Sequence, residues 1–360
     1  MRRIIALFIF FFFFAILAIS SSEKGMHWIT QVRYARNDAW GADKYRFGDL
    51  YGISYLSDFR IVKDTHLLAL PSPSKMISQD YDLTILGDSY LYGSFQINPA
   101  YYSRVNSVQM FRWSDSLQHL ISTNSSRKKV LLIECVERNM WDRMNLSDAR
   151  RRLDFQAAKE EKEKDKSTKE ILLNQLDRFD SGVKSAIYHP TLESNLDFVL
   201  FSMGLLGRIK ELKADFTWKV LGRTNPDVQV SQDGQFLYLE ETINVQKRGS
   251  SFRPIGKDEV NLMVRHLQEM ETYYLSHGYD QVLFSLIPNP VAVLETEVGS
   301  TNLALEKIRK HPKLRVKIID PSSALKQNAP LNFYQSDSHW NLRGAQIWLK
   351  EFNQVLEKLP

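Results

Sequence analysis

The sequence predicts an α/β fold in which a parallel sheet is flanked by helices, and three observations point there. Four short apolar runs show little alternation with polar residues, as strands covered on both faces require. Each run stops at Gly, Pro or a polar cluster. Helical stripes separate or follow the runs, which is the strand–helix–strand alternation of a doubly wound sheet.

In chain order the runs begin with Leu83 to Leu86, ending in Gly87, and Val130 to Ile133, ending in Glu134-Cys135-Val136-Glu137-Arg138-Asn139. Gln281 to Ile287 is stopped by Pro288-Asn289-Pro290, and Val316 to Ile319 by Asp320-Pro321. Lys257 to His277 reads as a helix closed by Gly278, a good C-terminal cap. Asn302 to Lys310 reads as a shorter one. From Asn341 to Leu359, apolar residues at 345, 348, 349, 352, 355, 356 and 359 make one helical stripe. Asp227 to Ile243 carries Gln232-Asp-Gly-Gln235 between apolar runs, a hairpin signal. Asp197 to Leu212 is amphipathic and suits covering the domain or touching a membrane. Lys159 to Lys166 is almost wholly charged with mixed signs, the mark of a solvated face.

The expected organisation is a targeting or anchoring segment over 1–22, an extension over 23–80, and a first part of the core over 81–147. An insertion over 148–256, with a charged helix and a small β element, precedes the second part of the core over 257–360.

Met1-Arg2-Arg3 is followed by sixteen uninterrupted apolar residues, Ile4 to Ile19, and then by serines. The run is longer than a usual signal-peptide core and somewhat short for the bilayer. A cleaved signal peptide and an uncleaved anchor both fit. Either reading puts the following chain outside the cytoplasm, periplasmic or otherwise extracytoplasmic, because Arg2 and Arg3 hold the N-terminus inside.

Composition narrows the function classes. Across 360 residues, 43% are apolar and 25% charged, which excludes disorder throughout and a multi-span membrane protein. The formal charge of +5 is too thinly spread for a nucleic-acid surface. A single cysteine, Cys135, excludes an intramolecular disulfide and multi-cysteine metal sites. The histidines other than His339 show no metal-ligand spacing, and no glycine loop suits a phosphate, so neither metal nor cofactor is expected.

Gly87-Asp88-Ser89 follows the first apolar run directly. In open α/β sheets reactive groups sit beyond the carboxyl ends of the strands, where Ser89 falls. A serine nucleophile needs a base, and the base needs a partner that fixes its tautomer. Asp337 and His339, two residues apart and just before the last helix, supply both types. Asp337 capping a turn and His339 entering a helix are the bland readings of either residue alone. Together with Ser89 they make a candidate triad, and Asn341 is the expected cap of the last helix.

Leu83-Thr-Ile-Leu-Gly-Asp-Ser89 resembles the first block of the SGNH/GDSL hydrolases. Asn332-Phe-Tyr-Gln-Ser-Asp-Ser-His-Trp-Asn341, followed by Gly344-Ala345, resembles a segment of the alginate O-acetyltransferase branch of that superfamily. Val136-Glu-Arg-Asn139 and Leu286-Ile-Pro288 resemble further blocks there. The resemblance covers about residues 82–140 and 280–357. It implies a flavodoxin-like sheet, with Ser89 as acyl-accepting nucleophile, His339 as general base then acid, and Asp337 as its orienting carboxylate. Here the Asp-x-His block follows the serine, as in ordinary SGNH hydrolases, whereas in the alginate enzymes it precedes it. No Gly-x-Asn-Asp block is present, so Asn139 or Arg138 is the expected substitute beside the Ser89 N–H in the oxyanion hole, with Glu137 as a supporting residue.

The resemblance further implies transfer of an acetyl or other short acyl group to a cell-envelope or extracellular polysaccharide. A membrane-bound acyltransferase (MBOAT-type) is the implied partner that delivers the acyl group. A carbohydrate esterase of the same fold and a non-catalytic anchored accessory are the competing expectations.

Overall fold

The apolar runs become strands because their neighbours cover both sides. In the computed structural model, which describes residues 2–22, 24–25, 47–63, 79–92, 98–114, 118–119, 127–154, 196, 199, 204–294 and 301–360, five strands form the main sheet. They are β1 (Tyr81–Gly87), β2 (Val105–Arg112), β3 (Lys128–Val136), β4 (Gln281–Ile287) and β5 (Lys317–Ile319). Their spatial order is β2-β1-β3-β4-β5, and every neighbouring pair is parallel. This is a doubly wound order, with its switch point between β1 and β3.

Successive strand residues enter opposite cores. Leu83, Ile85, Val130, Leu132 and Leu283 join the cluster that holds Trp340, Trp348 and Phe352. Leu86, Leu131, Ile133, Phe284 and Leu286 join the cluster of Met263, Leu267 and Met270. The helix Leu342–Glu357 therefore packs on one face and the helix Lys257–Ser276 on the other. The stripe from Ala345 to Leu359 read in the sequence is the buried one. The shorter helix read over 302–310 spans Ala304–Arg309.

One strand escapes the sequence reading. β2 is an edge strand, with only Val105 and Val108 buried, so it carries no apolar run. Its polar residues bind sideways instead: Asn106 Nδ2 and Ser107 Oγ both donate to Asp82 Oδ1, at 3.1 and 2.6 Å. Two minor sheets accompany the main one, a parallel pair of 118–119 with 153–154 and a hairpin of 228–230 with 237–239. Gly234, at φ +73°, makes the hairpin turn where the sequence placed it.

Contacts divide the chain into two units. One holds residues 64–158 and 226–360, and therefore the whole main sheet; the other holds 1–63 and 159–225. These divisions differ from the boundaries read in the sequence. The stretch 148–256 is shared between the units, and its hairpin belongs with the sheet, where Leu237 N donates to Gln335 O at 2.8 Å. The charged run 159–166 lies outside the described residues.

In the second unit, Arg2–Ser20 is an exposed apolar helix of mean hydropathy 2.6, long and apolar enough to cross a membrane. The amphipathic segment read from Asp197 is described as a helix over Gly204–Leu221. It packs against the short helices Asp49–Ser54 and Ser57–Phe59 of the same unit. Tyr51 OH donates to Glu211 Oε1 at 2.6 Å, and Ser57 binds Asp215 through both its N–H and its hydroxyl.

Candidate active site

β1 ends at Gly87 and the chain turns at once into a short helix, Ser89–Tyr92, which lifts Ser89 to the surface while Asp88 and Tyr90 stay buried. Asp88 fastens this turn to β3. Its Oδ2 accepts from Val136 N at 3.0 Å, its Oδ1 accepts from Tyr90 N at 3.0 Å, and its own N–H donates to Glu134 Oε2 at 2.8 Å. Gly87 is needed because a Cβ there would stand 2.9 Å from Glu134 Oε2. Glu134 is wholly buried; that burial, and then the Asp88 carboxylate beside it, push its carboxyl well above the usual range.

The partner segment, 332–341, is a closed loop. Phe333 and Trp340 form an isolated bridge, Asn341 N donates to Asn332 O at 3.0 Å, and Asn341 Nδ2 donates to Leu331 O at 2.9 Å. Asn341 also caps the last helix as expected, accepting from Arg343 N and Gly344 N. Inside the loop, Asp337 is buried and its Oδ1 accepts from both the backbone N–H of His339 and Nδ1, at 3.0 and 2.6 Å. The Asp337 carboxylate thus closes a turn and fixes a ring with the same oxygen.

Two hydrogen bonds hold this loop to the β1 turn, 250 residues away in sequence. Trp340 Nε1 donates to Tyr90 O at 3.2 Å, and Tyr90 OH donates to Ser338 O at 2.5 Å. The Tyr90 and His339 rings lie 4.7 Å apart. The result is a Ser89 Oγ···His339 Nε2 distance of 2.7 Å, with the His339 side chain 21% exposed. Ser89, His339 and Asp337 are therefore brought together in one line. With Nδ1 held by Asp337, Nε2 is left to accept the serine proton, and the pair faces solvent.

The three expected supporting residues separate. Arg138 approaches the site: its guanidinium stands over the Tyr90 ring at 5.5 Å, with Nη1 3.4 Å from Tyr90 OH and Nε 3.9 Å from Glu241 Oε1. Glu137 turns elsewhere. It is buried, accepts from Asn289 N at 3.0 Å and Ser251 Oγ at 3.1 Å, and burial raises it to about 6. Its carboxyl pins the loops after β3 and β4 and offers nothing to an oxyanion. Asn139 is half-buried in the helix Glu137–Arg143 and makes no side-chain hydrogen bond among the described residues. The Ser89 N–H, first in its helix, meets no acceptor among the described residues, and Arg138 reaches the edge of the site through Tyr90 OH.

Sequence reasoning missed Tyr90, Glu134 and Asn289. Tyr90 follows the serine directly but looks like any aromatic. Asn289 had a better signal: an amide between two prolines at a strand end, fully buried, with Oδ1 accepting from Arg138 N and Nδ2 donating to Gly249 O and Ser251 Oγ. No family model, no curated protein and no solved structure matches the chain.

Proposed function

We propose that the protein is an exported SGNH-type serine acyl-enzyme that moves an acetyl or similar short acyl group onto a polysaccharide hydroxyl. The observation that carries the acyl-enzyme reading is the Ser89–His339–Asp337 line, with contacts of 2.7 and 2.6 Å. In the first half-reaction Ser89 Oγ attacks the donor ester carbonyl while His339 Nε2 takes the hydroxyl proton. The tetrahedral intermediate collapses, the donor's C–O bond breaks, and the same proton passes to the departing alcohol. In the second half-reaction His339 takes the proton of the acceptor hydroxyl as it attacks the acyl-serine, and passes that proton to Ser89 Oγ as the acyl C–Oγ bond breaks. The Ser89 N–H and Arg138 are the groups proposed to meet the oxyanion.

Export rests on the apolar N-terminal helix, which is compatible with a signal peptide or an anchor. The membrane-bound acyltransferase partner that would deliver the acyl group is carried by the family resemblance alone. The solvent exposure of Ser89 favours one second reading, an esterase in which water replaces the sugar hydroxyl.

The test is incubation of the full chain with a short-chain acetyl ester and sugar oligomers, with products weighed by mass spectrometry. Acetylated oligomer is the expected product, free acetate alone makes the protein an esterase, and no turnover removes the acyl-enzyme reading. A serine-reactive sulfonyl fluoride is expected to label Ser89, and to label it far less after His339→Ala.

A further inference from the structure

The helix Gly204–Leu221 turns both of its acids inward, beside the half-buried Ala214 and Trp218: Glu211 is buried against Tyr51 and Arg60, and Asp215 is held by Ser57. Its outward face is apolar. Ile209, Leu212, Phe216 and Val220, spaced by three, four and four residues, fall on one stripe and are 53, 71, 59 and 64% exposed. A soluble surface rarely presents four large apolar side chains in line.

Cations border that stripe on both sides. At 100° per residue, Arg208 and Lys219 flank one edge, paired with Glu211 and Asp58 at 2.9 and 3.0 Å, and Lys213 flanks the other; all three are exposed. The two acids of the helix are turned inward, one toward Arg60 and Arg208, the other to Ser57. An apolar stripe edged by two long basic side chains on one side and one on the other has the chemistry of a helix lying in a bilayer interface, with alkyl faces in the acyl region and ammonium or guanidinium heads at anionic headgroups. The same unit carries the apolar helix Arg2–Ser20. Only twenty-eight residues separate Ser20 from the helix Asp49–Ser54 that braces this one, so a chain held in the membrane by its N-terminus keeps the stripe at high effective concentration near the surface.

We propose that Gly204–Leu221 is a second membrane contact, lying in the plane of an anionic bilayer with Ile209, Leu212, Phe216 and Val220 inserted. The partner is the lipid surface itself. Two-point attachment of this unit, by a spanning or leading helix and by an interfacial one, restricts its orientation to the membrane far more than one flexible tether does.

The full chain carries one native thiol, Cys135, which is buried, so a cysteine introduced by Phe216→Cys takes an environment-sensitive fluorophore selectively. In phosphatidylcholine–phosphatidylglycerol vesicles, the label at 216 is expected to shift to the blue and to be quenched by lipids spin-labelled in the upper acyl chain. A label at Lys257→Cys, exposed in the other unit, is expected to stay unshifted and unquenched. Adding Leu212→Glu and Val220→Glu is expected to abolish the shift and the quenching at 216, while flotation with the vesicles persists through the N-terminal helix. A label at 216 that behaves as in water overturns the proposal. So does a blue shift without lipid quenching that disappears on dilution, which makes the occupant a second copy of the chain. Loss of flotation by the unsubstituted protein instead defeats the N-terminal attachment, and is read independently of the quenching.

Discussion

Asp337 Oδ1 serves a turn and a ring at once, which is why its two roles separate by substitution. In Asp337→Asn the amide oxygen keeps the bond from His339 N–H, so the loop holds its shape, but the carboxylate charge that stabilises the imidazolium is lost. Ester turnover is expected to fall about 10³–10⁴-fold in kcat with the melting temperature nearly unchanged. Glu137 behaves differently, because its work is structural. Burial raises it from an ordinary 4.5 to about 6, so the native state favours the protonated form. Its contribution to stability is complete below about pH 4.5 and is lost as pH rises through about 6, a loss of about 2 kcal/mol by neutral pH. Glu137→Gln retains an acceptor for Asn289 and Ser251 without a charge to bury. The variant is expected to be more stable than the parent by about 1–2 kcal/mol at pH 7.5, with the difference fading toward pH 5, as read by urea unfolding at each pH.

At the scale of elements, the start of the last helix presses on the loop that carries Asp337 and His339. A Cβ at Gly344 would stand 2.4 Å from Asn332 O and 2.7 Å from the Trp340 Cβ, both rigid parts of that loop. Helix propensity favours Ala over Gly by about 1 kcal/mol, but backbone oxygen at that distance does not yield cheaply. Gly344→Ala is expected to cost about 1–3 kcal/mol by denaturant unfolding, in the range of an overpacked core. Because Asn332 and Trp340 frame Asp337 and His339, ester turnover should fall as well; a stabilised, fully active variant would show that the helix can slide away from the loop. The residues that make this contact were readable as Gly-Ala after the His-Trp block, while the reason for glycine was not, since it depends on a backbone oxygen twelve residues upstream.

At the scale of the whole molecule, the central strand β3 carries the free thiol. Cys135 is fully buried, and burial first, then the nearby Asp88 and Glu134 carboxyls, push it well above the ordinary thiol range. Alkylation by a maleimide in native buffer is therefore expected at the rate of global unfolding, matching loss of the sheet's circular-dichroism signal in low denaturant; faster labelling would mean that the sheet opens locally. Much of this architecture was legible beforehand. Four of the five strands, the two long helices that cover the sheet and the turn at Gly234 follow from apolar periodicity and stop residues, because those signals are local. The candidate triad was legible for a related reason, since a serine beyond a strand and an Asp-x-His before a helix each have a local signature. Edge strand β2 was not, as only two of its eight residues are buried and it carries no apolar run. Nor were Tyr90, Glu134 and Asn289, whose parts depend on what stands opposite them across the sheet. By itself the sequence determined which segments must be buried, where the strands end and which three side chains, Ser89, Asp337 and His339, to look for together. Only the tertiary structure decided that segments 250 residues apart meet at 2.7 Å, that Glu137 braces loops while Arg138 faces the site, and which face of Gly204–Leu221 is left bare. Distance in space between remote residues is set by packing across both faces of a sheet, a cooperative property that no local pattern encodes.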